Sequence, residues 1–130
     1  MQPEAEISAI GQIHISVADI DRAVAFYRDA LGLKFLFQVE GQKMAFFDCG
    51  GVRLYLGAPT EPRYRANSFL YYRVADIDAA YRRLAANGVV FAAPPRCIHR
   101  DAQHELWTAG FTDPDGNNAQ IMSEKNFPRA

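Results

Sequence analysis

The residues of this chain best equipped for chemistry are its three histidines, His14, His99 and His104. His14 sits in an alternating apolar stretch, Ile10 to Val17, where an imidazole titrating near neutrality can serve as a general base or a metal ligand. The other two lie in Cys97-Ile98-His99-Arg100-Asp101-Ala102-Gln103-His104-Glu105-Leu106-Trp107, together with the only tryptophan. His104 or Glu105 with His14 would make an acid/base pair or a non-standard metal site, and Trp107 could stack on a flat ligand. Against this, a lone strand histidine is more often a hydrogen-bonded core residue. The 97–107 stretch reads as a polar loop leading into a strand, whose alternation turns His104 and Glu105 to opposite faces, so only one of them reaches a given cleft. The five-residue spacing of His99 and His104 carries no special meaning on a loop. Arg53, Arg73 and Arg100 could each clamp a carboxylate or phosphate, or pair with surface acids. Phe35, Phe37, Phe46 and Phe47 read as core.

These side chains must be positioned by a repeated unit. Val17-Ala18-Asp19-Ile20-Asp21 recurs unchanged as Val74-Ala75-Asp76-Ile77-Asp78, an offset of 57 residues. A helical pattern follows each copy: Ile20, Ala23, Val24, Tyr27 and Leu31 in the first, Ile77, Ala80, Tyr81 and Leu84 in the second. Asp19 and Asp76 are placed as N-caps, and Gly32 and Gly88 as C-terminal stops. Ile10 to Val17 and Phe69 to Val74 read as the strands that precede the helices. Those expected to follow are Lys34 to Val39, Lys43 to Phe47 and Val52 to Leu56 in the first half, and Val89 to Phe91, His104 to Phe111 and Asn118 to Met122 in the second. Glu40-Gly41-Gln42, Asp48-Cys49-Gly50-Gly51 and Asp113-Pro114-Asp115-Gly116-Asn117 carry the residues that tight turns demand. The halves align again at the end, where Gly51-Val52-Arg53-Leu54-Tyr55-Leu56 matches Gly116-Asn117-Asn118-Ala119-Gln120-Ile121 at an offset of 65. The fold class is therefore α+β, with βαβββ modules over residues 7–58 and 68–123, a polar proline-bearing linker over 59–67, and one domain in all.

Composition excludes several function classes. Of the 130 residues 49% are hydrophobic, and 14 Lys+Arg balance 15 Asp+Glu for a net charge of −1, so no basic surface is available for nucleic acid or an acidic membrane. No run approaches the ~18 apolar residues of a membrane span. The N-terminal Met-Gln-Pro-Glu-Ala-Glu lacks the basic and then apolar character of a secretory signal, and a cytoplasmic location is expected. Cys49 and Cys97 have no CxxC spacing and read as reduced, packed thiols. There is no Gly-rich phosphate loop, no Gly-x-Ser-x-Gly elbow and no paired-cysteine zinc pattern.

With Val17 to Tyr27, Leu31-Gly32-Leu33 and the turn Phe111 to Asn117 in place, the chain resembles the vicinal oxygen chelate superfamily from Ile10 to Ser123. This is the group of glyoxalase I, the bleomycin-resistance proteins, extradiol dioxygenases and methylmalonyl-CoA epimerases. The resemblance implies paired modules whose sheets curl around a cleft, a homodimer, and in metal-dependent members a divalent ion held by four side chains. Carried over residue by residue, those positions are Gln12 and Phe69 on the first strands and Tyr55 and Gln120 on the last. None is a histidine or a carboxylate, so the resemblance brings no standard metal and no cofactor. Alternation adds His14, Arg53 and Tyr71 to the same wall. The expected function is binding of a small organic molecule by Gln12, His14, Arg53, Tyr55, Phe69, Tyr71, His104, Glu105, Trp107 and Gln120. Two alternatives remain open: a lyase, isomerase or dioxygenase working around His14 by acid/base chemistry or a displaced metal, and a regulatory or interaction module whose cleft is filled.

Overall fold

The computed structural model describes residues 9–39 and 41–127. The expected start of the first module at residues 7 and 8, the N-terminal segment 1–6, and Glu40 of the first hairpin turn lie outside them. The chain forms two four-stranded mixed sheets, each carrying one helix, in the order expected for an α+β repeat.

The first sheet contains β1 (Gln12–Ser16), β2 (Lys34–Val39), β3 (Met44–Cys49) and β4 (Val52–Gly57) in the order β1-β4-β3-β2. β1 and β4 run parallel and the other pairs antiparallel. Between β1 and β2, helix α1 (Ile20–Ala25) continues into a π-helical turn, Phe26–Ala30. The second sheet contains β5 (Leu70–Arg73), β6 (Arg96–Arg100), β7 (His104–Thr112) and β8 (Asn118–Asn126) in the order β5-β8-β7-β6, with helix α2 (Ile77–Ala86) between β5 and β6. Both helices begin where the repeated aspartate was expected to cap them: Asp19 accepts from the Arg22 amide and Asp76 from the Ala79 amide, each at 3.1 Å. Each ends at a glycine with positive φ, Gly32 at 76° and Gly88 at 95°.

Alternation sorts each sheet into a helix-covered face and an open face. Ile15, Leu54, Leu56, Ala45 and Phe47 form the first core with Ile20, Ala23 and Val24 of α1. Ala109, Phe111, Ala119 and Ile121 form the second with Ile77, Ala80 and Leu84 of α2. The cores join, because Phe26, Ala30 and Leu31 of the first half pack against the second, and Leu70 of the second half packs against the first.

Polar contacts reinforce that junction. Asp113 in the β7–β8 turn is buried and accepts from the amides of Asp115 and Asn117, from Asn117 Nδ2 at 2.7 Å, and from the Tyr27 hydroxyl at 3.0 Å. Asp115 accepts from the Ala18 amide and from Arg22, while Asn117 Nδ2 also donates to the Ser16 carbonyl. Burial, then the nearby Tyr72 and Asp113, push the Tyr27 pKa far up, so its proton stays to make this bond.

One strand differs from expectation. Val89 to Phe91 forms only an isolated bridge, Phe91 to Phe111, and the edge strand is β6, in the stretch that reads as a polar loop. Hydrogen bonding to β7 overrides the weak apolar signal of Arg96–Arg100. Cys49 and Cys97 are free thiols, one on each sheet. Among the described residues no helix is long and apolar enough to cross a membrane.

Replacing Asp113 by alanine strands the Tyr27 hydroxyl and the Asn117 amide in the interior. The expected loss is roughly 3–5 kcal/mol, against about 2 kcal/mol for Tyr27→Phe, which leaves the carboxylate three partners. Urea midpoints at constant m-value check the ranking, and equal losses would contradict a shared node.

Candidate functional site

The open face of the first sheet carries a row of aromatic rings, one per strand. Phe37, Phe46, Tyr55 and His14 are successive cross-strand partners on β2, β3, β4 and β1. Ring centroids lie 4.7 Å apart for Phe37–Phe46, 5.0 Å for Phe46–Tyr55 and 4.6 Å for His14–Tyr55, and the first two pairs are stacked. A β-bulge creates this row. The register of β2 slips between Phe35, opposite Phe47, and Phe37, opposite Phe46, so Leu36 is the extra residue. Phe35 stays with the core, and Phe37 is turned to the open face, where it is 46% exposed. The four phenylalanines expected to be core therefore divide: Phe35 and Phe47 pack inside, Phe37 and Phe46 line the open face.

At the end of the row, His14 Nε2 lies 2.9 Å from Ser16 Oγ, which itself accepts from the Ala66 amide. Burial holds the His14 pKa below the ordinary imidazole value, against a smaller upward pull from the Tyr55 backbone, so the ring is neutral at pH 7. Its Nδ1 is buried with no partner in hydrogen-bonding geometry. Gly57 is required beneath this pair, because a Cβ there would lie 2.8 Å from Tyr55 Oη and 2.9 Å from His14 Cε1.

One pleat along, Gln12 pairs with Arg53 across β1 and β4, and Arg53 Nε donates to Gln12 Oε1 at 2.9 Å. The guanidinium carbon of Arg53 also stands 5.5 Å from the Phe46 ring centroid, a cation–π contact. Arg53 is thus held at the start of the aromatic row with its charge exposed.

On the second sheet Tyr71, Gln120 and Gly110 are register partners. Phe69 and Tyr71 stack at 5.4 Å and are each 54% exposed. With no side chain at Gly110, a hollow of about 310 Å³ opens here, bordered by Phe69, Phe91, Asn118 and Gln120, all from the second half. A smaller hollow, about 180 Å³, has walls from both sheets, among them Ile13 and Arg53 from one and Leu70 and Tyr71 from the other.

The remaining expected contacts separate from this group. Glu105 and Trp107 turn to the helix side of β7, where Trp107 packs against the second core, donates its indole N–H to Glu105 at 2.9 Å and lies under Lys125. Glu105 also pairs with Arg100 at 2.8 Å, which occupies that arginine. His104 shares the face of Gln120 but bonds Glu124. His14 and His104 thus lie on different sheets with separate partners.

Gln12, Tyr55, Phe69 and Gln120, between which the resemblance places a divalent ion, are a poor donor set for one. Phe69 has no donor atom, the Gln12 oxygen is occupied by Arg53, and a guanidinium fixed at that position repels a cation.

The family model described as Glyoxalase/Bleomycin resistance protein/Dioxygenase superfamily matches residues 9–121. Among curated proteins, the chain is similar to the metallothiol transferase FosB of Lysinibacillus sphaericus, 27% identical over 121 residues that cover 88% of this chain and 82% of that protein. A catechol-2,3-dioxygenase of Bacillus subtilis is 33% identical over 91 residues, covering 64% of this chain and 32% of that protein. Among solved structures, a superfamily member from Sphaerobacter thermophilus superposes with a TM-score of 0.76 at 25% identity, covering 92% of this chain and 99% of that one. A lactoylglutathione lyase from Agrobacterium tumefaciens does so with a TM-score of 0.69 at 27% identity, covering 90% and 94%.

Two outcomes follow from the row. Gly57→Ala is expected to push the His14 and Tyr55 rings apart, read by NMR as a displaced His14 ring-proton shift with second-sheet amides unchanged; an unmoved resonance would refute the contact. Because the folded pKa of His14 is depressed, its contribution to stability is fully present above the unfolded value near 6.5 and lost as pH falls through it towards the folded pKa. His14→Gln is therefore expected to flatten the acid side of the stability profile below pH 6.5, measured by urea unfolding at stepped pH.

Proposed function

The chain belongs to the glyoxalase/bleomycin resistance protein/dioxygenase superfamily, and from that premise we propose that it binds a small planar organic anion on its open sheet faces without a metal at the family positions. The row Phe37–Phe46–Tyr55–His14 carries the reading: its first three rings stack, and the half-exposed Phe37 at the end of the stack offers an aromatic surface that a planar molecule extends. Arg53 supplies the charge, held by Gln12 and Phe46 so that little side-chain entropy is lost on pairing with a carboxylate. Tyr71 and Gln120 form the opposite group of contacts.

We further propose that the binding form is a homodimer. Phe37, Phe69 and Tyr71 are each about half exposed on the open faces, and a second copy that brings one module face over another covers them and encloses the ligand. Acid/base chemistry at His14 has less support, since Nε2 is engaged by Ser16 and Nδ1 is buried.

2-Naphthoate, titrated by calorimetry and followed by native mass spectrometry, tests this. Expected are a dimer, saturable binding unaffected by EDTA, and weakening of about tenfold or more in Tyr55→Ala and in Arg53→Met, each decade being about 1.4 kcal/mol. Binding of such acids that disappears on chelation and returns with a divalent ion would overturn the proposal.

A further inference from the structure

The β6–β7 hairpin gathers His99, Asp101 and His104, the cluster whose sequence spacing carries no message on a loop. As strands the two histidines become neighbours. The register of β6 slips between Cys97, opposite Trp107, and His99, opposite Leu106, leaving Ile98 as the extra residue. Without that bulge His99 would follow Cys97 to the helix side; with it, His99 shares the open face with Leu106 and His104. The ring centroids of His99 and His104 lie 5.9 Å apart.

We propose that His99, Asp101 and His104 form a binding site for a divalent first-row transition metal, with Glu124 positioning His104. One ligand atom from each of the three lies within 4.8 Å of the others. Tetrahedral donors about 2.1 Å from a zinc ion stand roughly 3.4 Å apart, so side-chain rotation at an exposed site closes the set. The hairpin already orients the carboxylate. Asp101 Oδ1 accepts the Gln103 amide at 2.8 Å, and the Asp101 amide donates to the His104 carbonyl, which leaves Oδ2 turned to His99 Nε2 at 3.2 Å. Glu124 Oε2 lies 3.1 Å from His104 Nε2, the carboxylate–histidine pairing that fixes a ligating ring. Arg100, the neighbouring cation, is drawn away by Glu105. Two imidazoles and a carboxylate suit zinc, cobalt or nickel in preference to magnesium, and three protein donors leave a coordination position open.

This site is separate from the family positions. Glu124 lies four residues beyond Gln120 on β8, roughly 13 Å along the strand. It stands whether or not the open faces bind an organic anion. A bound ion would tie β6 to the end of β7, which Glu124 links in turn to β8.

Calorimetry of untagged protein with zinc chloride, and absorption spectra with cobalt(II), provide the test. Expected are one ion per chain, a visible cobalt band of a four- or five-coordinate site, and a rise in Tm of several degrees at saturation. His99→Ala and His104→Ala should each weaken zinc by more than about a hundredfold, and Glu124→Gln by roughly 10- to 100-fold with the stoichiometry kept. Circular dichroism checks that these variants fold, and His14→Ala and Gln120→Ala should bind as the parent does. Zinc affinity unchanged in the His99→Ala, His104→Ala double variant, loss of binding in Gln120→Ala, or no binding by the parent at millimolar zinc would each overturn the proposal.

Discussion

The Asp113 carboxylate joins the two halves of this molecule. A sheet with one helix buries one of its faces and leaves a unit of some fifty residues short of the surface a stable domain must remove from water. The deficit is met at the junction, where the π-helical turn at Phe26–Ala30 carries Phe26 and Ala30 to the second core and Tyr27 to Asp113. Four hydrogen bonds converge on that carboxylate from a turn and a distant helix. A buried charge is tolerable only with such saturation, and a fully satisfied group permits one relative placement of its partners. Whatever geometry the open faces possess is inherited from this contact.

The second constraint is a pair of β-bulges in matching places, in β2 at Leu36 and in β6 at Ile98. A single inserted residue reverses the facing of everything beyond it. In β2 this brings Phe37 onto Phe46 and completes a ring row across four strands; in β6 it brings His99 to His104. Two chemically different surfaces, one aromatic and one of imidazoles and carboxylate, arise from the same backbone device used twice.

The repeated Val-Ala-Asp-Ile-Asp segment made both helices, their aspartate caps, their glycine stops and the order of most strands legible, because capping and periodicity are local. So was the alternation that sets His14 one pleat from Gln12 and Arg53 one pleat from Tyr55, whereas the Gln12–Arg53 hydrogen bond depends on the β1–β4 register. The bulges were not. Phe35, Phe37, Phe46 and Phe47 have the same composition and spacing whether they share a face or divide, and only the hydrogen-bond register decides. Strand β6 was hidden for a related reason. Arg96-Cys97-Ile98-His99-Arg100 has little apolar content, and an exposed edge strand needs little. As a loop that stretch gives the His99–His104 spacing no meaning; Trp107 lies on the expected strand, and only the packing of Ala109 and Phe111 against α2 shows that its face is the core side.

The position of Arg53 bears on what this scaffold retains when its donors change. In metal-dependent relatives the resemblance places a cation between the four positions, where it polarises substrate oxygens. Here Gln12 and Tyr55 are weaker donors than imidazole or carboxylate, and positive charge is present in the region: the Arg53 guanidinium is held there by the Gln12 oxygen and the Phe46 ring. On the proposed reading this is a substitution of one electrostatic device for another. An ion binds oxygens through open coordination sites and activates them; a guanidinium offers directed N–H donors and orients an oxyanion without the Lewis acidity that chemistry on it requires. The same change also accounts for the rings. On that reading a ligand no longer held by short metal–oxygen bonds needs apolar contact area, and the bulge at Leu36 supplies it by adding the half-exposed Phe37 to the row.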